Sequence, residues 1–291
     1  MVTDFKKQVG ERIRELRKNL GYSQQEVAQK LGLHRPSISQ IEHGERELSA
    51  EELTKLSEFF GVTLREIVSE KADKKTAGKK KTISRKTHGE IEITFFRHGE
   101  ATDDIYDQYG GWADPDLSPK GVTKAYSMAQ KLKDQEASFG MIYTSPLKRA
   151  RQVAEILGRE LQVDVKVLQY LKERNTYGLL CGINKQVAQE KFSDLVEAYE
   201  SGRYVLGSER EEDFINRLPL IFEYIKRSGK ASVCCVTHGK LLAGIIKRFL
   251  QMNPSSLEDG CMLKLGWDKD KAYLIQSEGI VFAKQPSKEE K

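Results

Sequence analysis

The sequence of 291 residues is 38% hydrophobic and 31% charged, the balance of a soluble globular protein long enough to divide into two cores. It holds no run of 18 apolar residues, which excludes a membrane-spanning helix of the usual kind, and its opening MVTDFKKQVGERI lacks the apolar stretch of a secretory signal. The net charge of +5 is local: Lys+Arg against Asp+Glu is 11 to 12 in 1–70, 8 to 1 in 71–89 and 29 to 30 in 90–291.

The first seventy residues read as helical throughout. Phe5, Val9, Ile13, Leu16 and Leu20 recur at three- and four-residue steps, one apolar stripe that Gly21 ends. Ser23 caps the next helix, with Glu26 three residues on completing a capping box, and Gly32 breaks it. A short helix follows over 35–42, stopping at His43-Gly44. Ser49 caps another through Phe60, closed by Gly61, and Thr63 opens a last one to about Glu70. Five helices sharing one apolar core are predicted for 1–70.

The segment 71–89, KADKKTAGKKKTISRKTHG, has too few apolar side chains to bury a core and reads as a flexible basic linker. As a coil it would span on the order of 25 Å. From residue 90 to about 285 the pattern alternates. IEITFF (91–96), MIYTS (141–145), VDVKVL (163–168) and SVCCVT (232–237) read as strands. Amphipathic stretches at 121–133, 147–161, 185–201, 211–227 and 240–251 lie between them. Such alternation predicts an α/β sandwich on a mostly parallel sheet. Cys181, Cys234, Cys235 and Cys261 form neither a C-x-x-C pair nor a zinc-like set, so reduced thiols and a cytoplasmic setting are expected.

The stretch SQQEVAQKLGLHRPSISQIEHGER has the form helix, glycine turn, helix. An α-helix fits the major groove of B-DNA, with its first residues meeting base edges. Gln24 is placed to reach a phosphate. Ile38 and Ile41 must face a core, leaving Arg35, Ser37, Ser39 and Gln40 outward with donors suited to bases or phosphate. The stretch resembles the helix-turn-helix of the XRE, lambda-repressor-like family. That resemblance implies an all-α DNA-binding domain over 1–70, with base contacts at Arg35, Pro36, Ser39 and Gln40 and homodimers on double-stranded DNA. Pro36 brings no donor. The neutral charge of 1–70 also suits a helical bundle whose polar face is merely solvated, and the linker's basic residues would supply the missing attraction to phosphate.

Four features of the second half converge on strand ends: Arg97-His98-Gly99-Glu100, SPLKRARQVAE with Arg149, LKERNTYG with Glu173 and Arg174, and His238-Gly239. In open α/β sheets ligands bind beyond the carboxyl ends of the strands. Paired arginines give fixed donors to a phosphoryl dianion. A neutral imidazole can take the phosphoryl group covalently, and a carboxylic acid can protonate the departing oxygen. Neither metal nor other cofactor is required. Each residue alone has a bland reading: Arg97 in a surface ion pair, Glu173-Arg174 in a solvated turn, His238 as a satisfied core histidine.

The set RHGE, SPLxRAxQ, LxER and a late HG resembles the histidine phosphatase (phosphoglycerate mutase-like) superfamily over about 90–280. The resemblance implies a multidomain chain whose second part is a three-layer α/β sandwich acting on a phosphorylated small molecule. His98 would be the nucleophile, Arg97, Arg149 and His238 the phosphate pocket, and Glu173 the proton donor. Asp104, Gly111, Arg174 and Tyr177 would border the substrate. YGGWADPDLSPKG and ERNTYGLLCGINK, with Trp112, Asn184 and Lys185, resemble the mutase branch. Ala101, Asp104 and Gly110 depart from it, and the segment between Glu173 and His238 lacks the mutases' closing insertion. Hydrolysis is therefore expected over phosphoryl transfer, with a mutase, or a DNA-binding regulator whose phosphatase-like part only senses ligand, as alternatives. EREEDFINRL (209–218) is expected to serve in structural ion pairs.

Overall fold

Helix α1 (Val2–Asn19) turns Val9, Ile13 and Leu16 inward, as the sequence stripe requires, while Phe5 is exposed. A Cβ on Gly10 would meet the Ile41 carbonyl oxygen at 2.2 Å, so the close approach of α1 to a later helix depends on glycine there. In α2 (Gln24–Leu31) the Ser23 hydroxyl accepts the Glu26 N–H and the Glu26 carboxylate accepts the Ser23 N–H, the expected capping box. Gly32 closes α2 in a left-handed conformation. Helix α3 (Arg35–Glu42) carries Pro36 in its first turn, where a missing N–H costs nothing. Ser49 and Glu52 form a second capping box at the start of α4 (Ala50–Phe60), and α5 (Leu64–Val68) follows. Ile13, Val27, Ile38, Ile41, Leu56, Phe60 and Ile67 form the core of this five-helix unit.

The computed structural model describes residues 2–19, 22–60, 64–68, 91–269 and 271–283. Leu20, Gly21, Gly61, Thr63 and Glu70, the linker 71–89 and the tail after 283 lie outside the described residues. Among the described residues no helix is long and apolar enough to cross a membrane.

The second unit begins with β1 (Ile91–Arg97) and a short α6 (Thr102–Ile105). It continues with α7 (Pro119–Asp134), β2 (Ile142–Thr144), α8 (Lys148–Leu161) and β3 (Val165–Val167). Helices α9 (Lys185–Lys191), α10 (Ser193–Glu200) and α11 (Glu211–Arg227) precede β4 (Ser232–Thr237) and α12 (Gly239–Ile245). A hairpin of β5 (Pro254–Asp268) and β6 (Lys271–Phe282) completes it. The sheet order is β3-β2-β4-β1-β5-β6. The first four strands run parallel, and β5 and β6 join antiparallel.

Alternate side chains of the central strands feed two apolar layers. Phe96, Ile142, Cys234 and Val236 pack with Leu132 of α7 and Val153 and Leu157 of α8. Phe95 turns the other way, 6.2 Å between ring centroids from Phe222 of α11, which stacks on Trp267 at 4.2 Å. The unit is thus a three-layer α/β sandwich.

The structure corrects the sequence expectations in three places. Two strands, β5 and β6, were not foreseen. The single helix expected over 185–201 is broken at Phe192, whose φ of −137° and ψ of 37° leave the helical region. The helix expected over 240–251 changes to π-type bonding over Ile246–Leu250. Cys234, Cys235 and Cys261 are free and buried, whereas Cys181 is half-buried. Burial, the largest cause, pushes the Cys261 thiol up to about 11.

Candidate active site

Register brings the two histidines together. Arg97 pairs with Thr237 across β1 and β4, and the His98 N–H donates to the Thr237 carbonyl at 3.0 Å. The residues that follow each strand, His98 and His238, therefore stand side by side, with ring centroids 4.9 Å apart and planes at 68°. Both are buried, at 7% and 0% exposure, and burial followed by the nearby Arg149 charge holds both well below the ordinary imidazole pKa.

His98 has a defined tautomer. Its Nδ1 lies 2.6 Å from the Gly99 carbonyl oxygen, which can only accept, so Nδ1 carries the proton and Nε2 keeps its lone pair. Arg149, from the first turn of α8, donates its Nε–H to that lone pair at 3.0 Å. The other guanidinium nitrogens donate to the carbonyls of Ala113 at 2.7 Å and Gly111 at 2.9 Å. Gly111 has φ +61°, and a Cβ there would meet Cys181, Tyr177 and Asn175 at 3.0–3.1 Å. Glycine is what lets this loop reach Arg149. Arg97 pairs with Asp259 at 2.9 Å and donates to the Leu257 carbonyl, both on β5, while its Nε is buried without an acceptor.

Glu173 is fixed by backbone. Its Oε1 accepts from Arg174 N at 2.8 Å and Leu241 N at 3.0 Å, and its Oε2 from Lys240 N at 3.2 Å. The segment bearing it is clamped by Arg217, which donates to the carbonyls of Tyr170 at 2.7 Å and Glu173 at 3.2 Å while paired with Glu209 at 2.6 Å. The ion-pairing expected of 209–218 thus acts on the Glu173 loop. Trp112 Nε1 also donates to the Glu173 carbonyl, at 2.8 Å.

Other sequence candidates lie apart from the two imidazoles. Asp104 is exposed and turns back to accept the Ala101 N–H at 2.9 Å; its neighbour Asp103 is the buried carboxylate, raised in pKa by burial and drawn down by Arg149. Arg174 directs its guanidinium to Glu211 and the Phe214 ring. Tyr177 packs on Tyr109 and Tyr199, and burial raises its pKa. Asn184 caps α9, and Lys185 pairs with Asp107. Sequence reasoning passed over Ser145, Asp103, Asp259 and Lys240. Ser145 alone had a signal, as the first residue of the SPLKR stretch.

In the helical unit, Ile38 and Ile41 are buried, and Arg35, Pro36 and Gln40 form an exposed face flanked by half-buried Ser37 and Ser39. Gln24 departs from expectation: its side-chain amide donates to Glu42 at 2.9 Å, inside a buried network with Arg17, whose guanidinium also donates to the Tyr22 carbonyl at 2.9 Å. Its second amide N–H and its backbone remain for a phosphate.

The family described as histidine phosphatase superfamily (branch 1) matches residues 93–276, and a helix-turn-helix family matches 13–67. A 2,3-bisphosphoglycerate-dependent phosphoglycerate mutase of Bartonella henselae is 36% identical over 108 residues, 36% of this chain and 52% of that protein. The mutase of Nitrobacter hamburgensis is 29% identical over 174 residues, 57% and 84% of the two chains. The chain spans about half the length of the first curated relatives it matches. Among solved structures, the alpha-ribazole phosphatase of Shigella flexneri superposes with a TM-score of 0.55 at 19% identity, covering 64% of this chain and 95% of that one. Bacillus stearothermophilus YhfR gives 0.58 at 20% identity, over 66% and 98%. These two likenesses show the fold.

Proposed function

Because the chain belongs to the histidine phosphatase superfamily, we propose that its α/β unit hydrolyses phosphomonoesters through a phosphohistidine and that its helical unit binds double-stranded DNA. The observation that carries the catalytic reading is the His98 ring: proton held on Nδ1 by Gly99, lone pair on Nε2, guanidinium and second imidazole alongside.

The Nε2 lone pair attacks phosphorus and the ester P–O bond breaks. Arg97, Arg149 and His238 hold the equatorial oxygens as charge spreads over them. Glu173 gives its proton to the departing oxygen. Both lone pairs of Oε1 are engaged by backbone N–H groups, whereas Oε2 has one remaining, so Oε2 carries that proton. Water then attacks the phosphohistidine, Glu173 takes its proton, and the N–P bond breaks to release inorganic phosphate.

Hydrolysis is favoured over transfer between positions of a doubly phosphorylated substrate. Arg97 already faces Asp259, and Asp103 lies near Arg149. Those carboxylates offset the cationic cradle and disfavour extra substrate charge. The relatives named as mutases support the second reading, and one assay separates them. Release of inorganic phosphate from 4-nitrophenyl phosphate by the parent, its loss in His98→Ala, and acid-labile, base-stable phosphate on His98 support hydrolysis. Phosphoglycerate interconversion without phosphate release supports the mutase. DNA binding is proposed for the face of Arg35, Pro36, Ser37, Ser39 and Gln40, with the Gln24 backbone at a phosphate.

A further inference from the structure

Beyond Glu173, the segment Arg174–Thr176, helix α11, and α12 with the π-type turn Ile246–Leu250 line an open cavity of about 590 Å³, a size suited to a small organic ligand. Its apolar lining is made by the partly exposed Ile215 and Ala243 together with the buried Phe214 and Leu218. Its walls bring together Arg174, Lys240, Lys247 and Arg248 against one carboxylate, Glu211, which is already paired with Arg174. The Lys240 ammonium donates to the Thr176 hydroxyl and lies over the face of Tyr177, 3.9 Å from the ring centroid, with the Glu173 carboxylate close enough to act on it electrostatically. Among the described residues no carboxylate pairs with Lys240, Lys247 or Arg248, and the Arg174 Nε is buried without an acceptor. Lys240 is desolvated enough that burial lowers its pKa. Lys247 and Arg248 are exposed while Lys240 and Arg174 are half-buried, so the lining combines four cations with one carboxylate, a local field that draws in an anion.

We propose that this cavity is a second ligand site, taking an apolar body against Ile215 and Ala243 whose own phosphate or carboxylate is held by Lys240, Lys247 and Arg248. The main-chain N–H groups of Lys240 and Leu241 hold Glu173, so the site adjoins the turn that positions the proton donor. Two sources share this chemistry: a second anion on the leaving group of the substrate, or a free effector. The first rests on the phosphomonoesterase reading; the second requires only the cavity.

The test uses the full chain saturated with orthovanadate at the phosphoryl site and titrated with 1-naphthoate by calorimetry. One binding event is expected, weakened about tenfold by the double variant Lys247→Ala, Arg248→Ala, the loss of a charge-assisted contact. Neither residue belongs to the catalytic set, so turnover of 4-nitrophenyl phosphate by the variant should equal that of the parent. A raised KM in the variant for 4-carboxyphenyl phosphate alone identifies the leaving-group source. A change in parent, but not variant, turnover of 4-nitrophenyl phosphate on adding 1-naphthoate identifies the effector source. Absence of 1-naphthoate binding, or equal binding by parent and variant, overturns the proposal. A parent that releases no phosphate at all sinks the phosphatase reading instead, and the calorimetry still decides this one.

Discussion

The Ser145 hydroxyl oxygen lies 2.7 Å from Nε2 of His238 and accepts the Leu147 N–H at 3.2 Å. The contact is compatible with either tautomer of His238; in the one where the hydroxyl gives its proton to Nε2, the imidazole proton sits on Nδ1. That Nδ1 is buried and has no partner among the described residues, so it is the donor available to a phosphoryl oxygen. Ser145→Ala is expected to lower kcat about tenfold, the worth of one buried hydrogen bond, with little change in KM. Ser145→Thr should restore it. The nitrogen NMR shifts of His238 should show the tautomer moving in the alanine variant; unchanged shifts would remove Ser145 from the scheme.

The depressed histidines make stability depend on pH. An unfolded chain binds protons at His98 and His238 near pH 6.5, whereas the fold keeps them neutral well below that. The unfolded state therefore binds more protons in this window, and stability rises with pH through it. It is complete above about 6.5 and is lost as the solution is acidified toward the folded values. Thermal melts of the parent should fall steadily on acidification, and His98→Asn should flatten the slope. Parallel slopes would contradict the assignment.

Glu173→Gln should discriminate between leaving groups. A nitrophenolate departs without a proton and an alkoxide does not, so the loss in kcat should be small for 4-nitrophenyl phosphate and roughly 10²–10⁴-fold for an alkyl phosphate. Equal losses on both substrates would assign Glu173 a structural role only.

Glu42 neutralises the buried Arg17 in the helical unit, where their side chains are 0% and 11% exposed. Glu42→Ala leaves that guanidinium buried without its carboxylate and also frees Gln24. A destabilisation of about 3 kcal/mol is expected in urea melts of the helical signal. A loss under 1 kcal/mol, the range of an exposed pair, would show the network to be dispensable.

Gln40→Ala removes an exposed amide from α3 without touching the core. Selection from a random duplex library should give a motif with one position relaxed, a discrimination loss of about 1–3 kcal/mol. An unchanged motif would move base reading elsewhere on the helix.

Local signals were legible where backbone chemistry sets them. The capping box at Ser23, the Ser49 cap, the helix stop at Gly32, and β1 and β4 with their terminal histidines all follow from a few adjacent residues. The hairpin β5–β6 was hidden because register shifts near Pro254, Leu257 and Lys264 break the two-residue alternation, and one of its faces is half-exposed. The choice between Asp103 and Asp104 rests on the direction of one short helical turn, to which periodicity is blind. The bond from Gln24 to Glu42 was not legible, because that acceptor arrives from another helix. The Ser145–His238 contact joins two parallel strands 93 residues apart and exists only once the sheet is formed.

The lone pair of His98 is already occupied by the Arg149 Nε–H. An electrophile can reach that nitrogen only by offering Arg149 something better to hold. A phosphoryl dianion does so with its own oxygens, uncovering the ring in the act of docking, while uncharged electrophiles find it shielded. The arrangement screens incoming molecules by charge before shape or size is consulted, and should leave the imidazole inert toward neutral alkylating reagents.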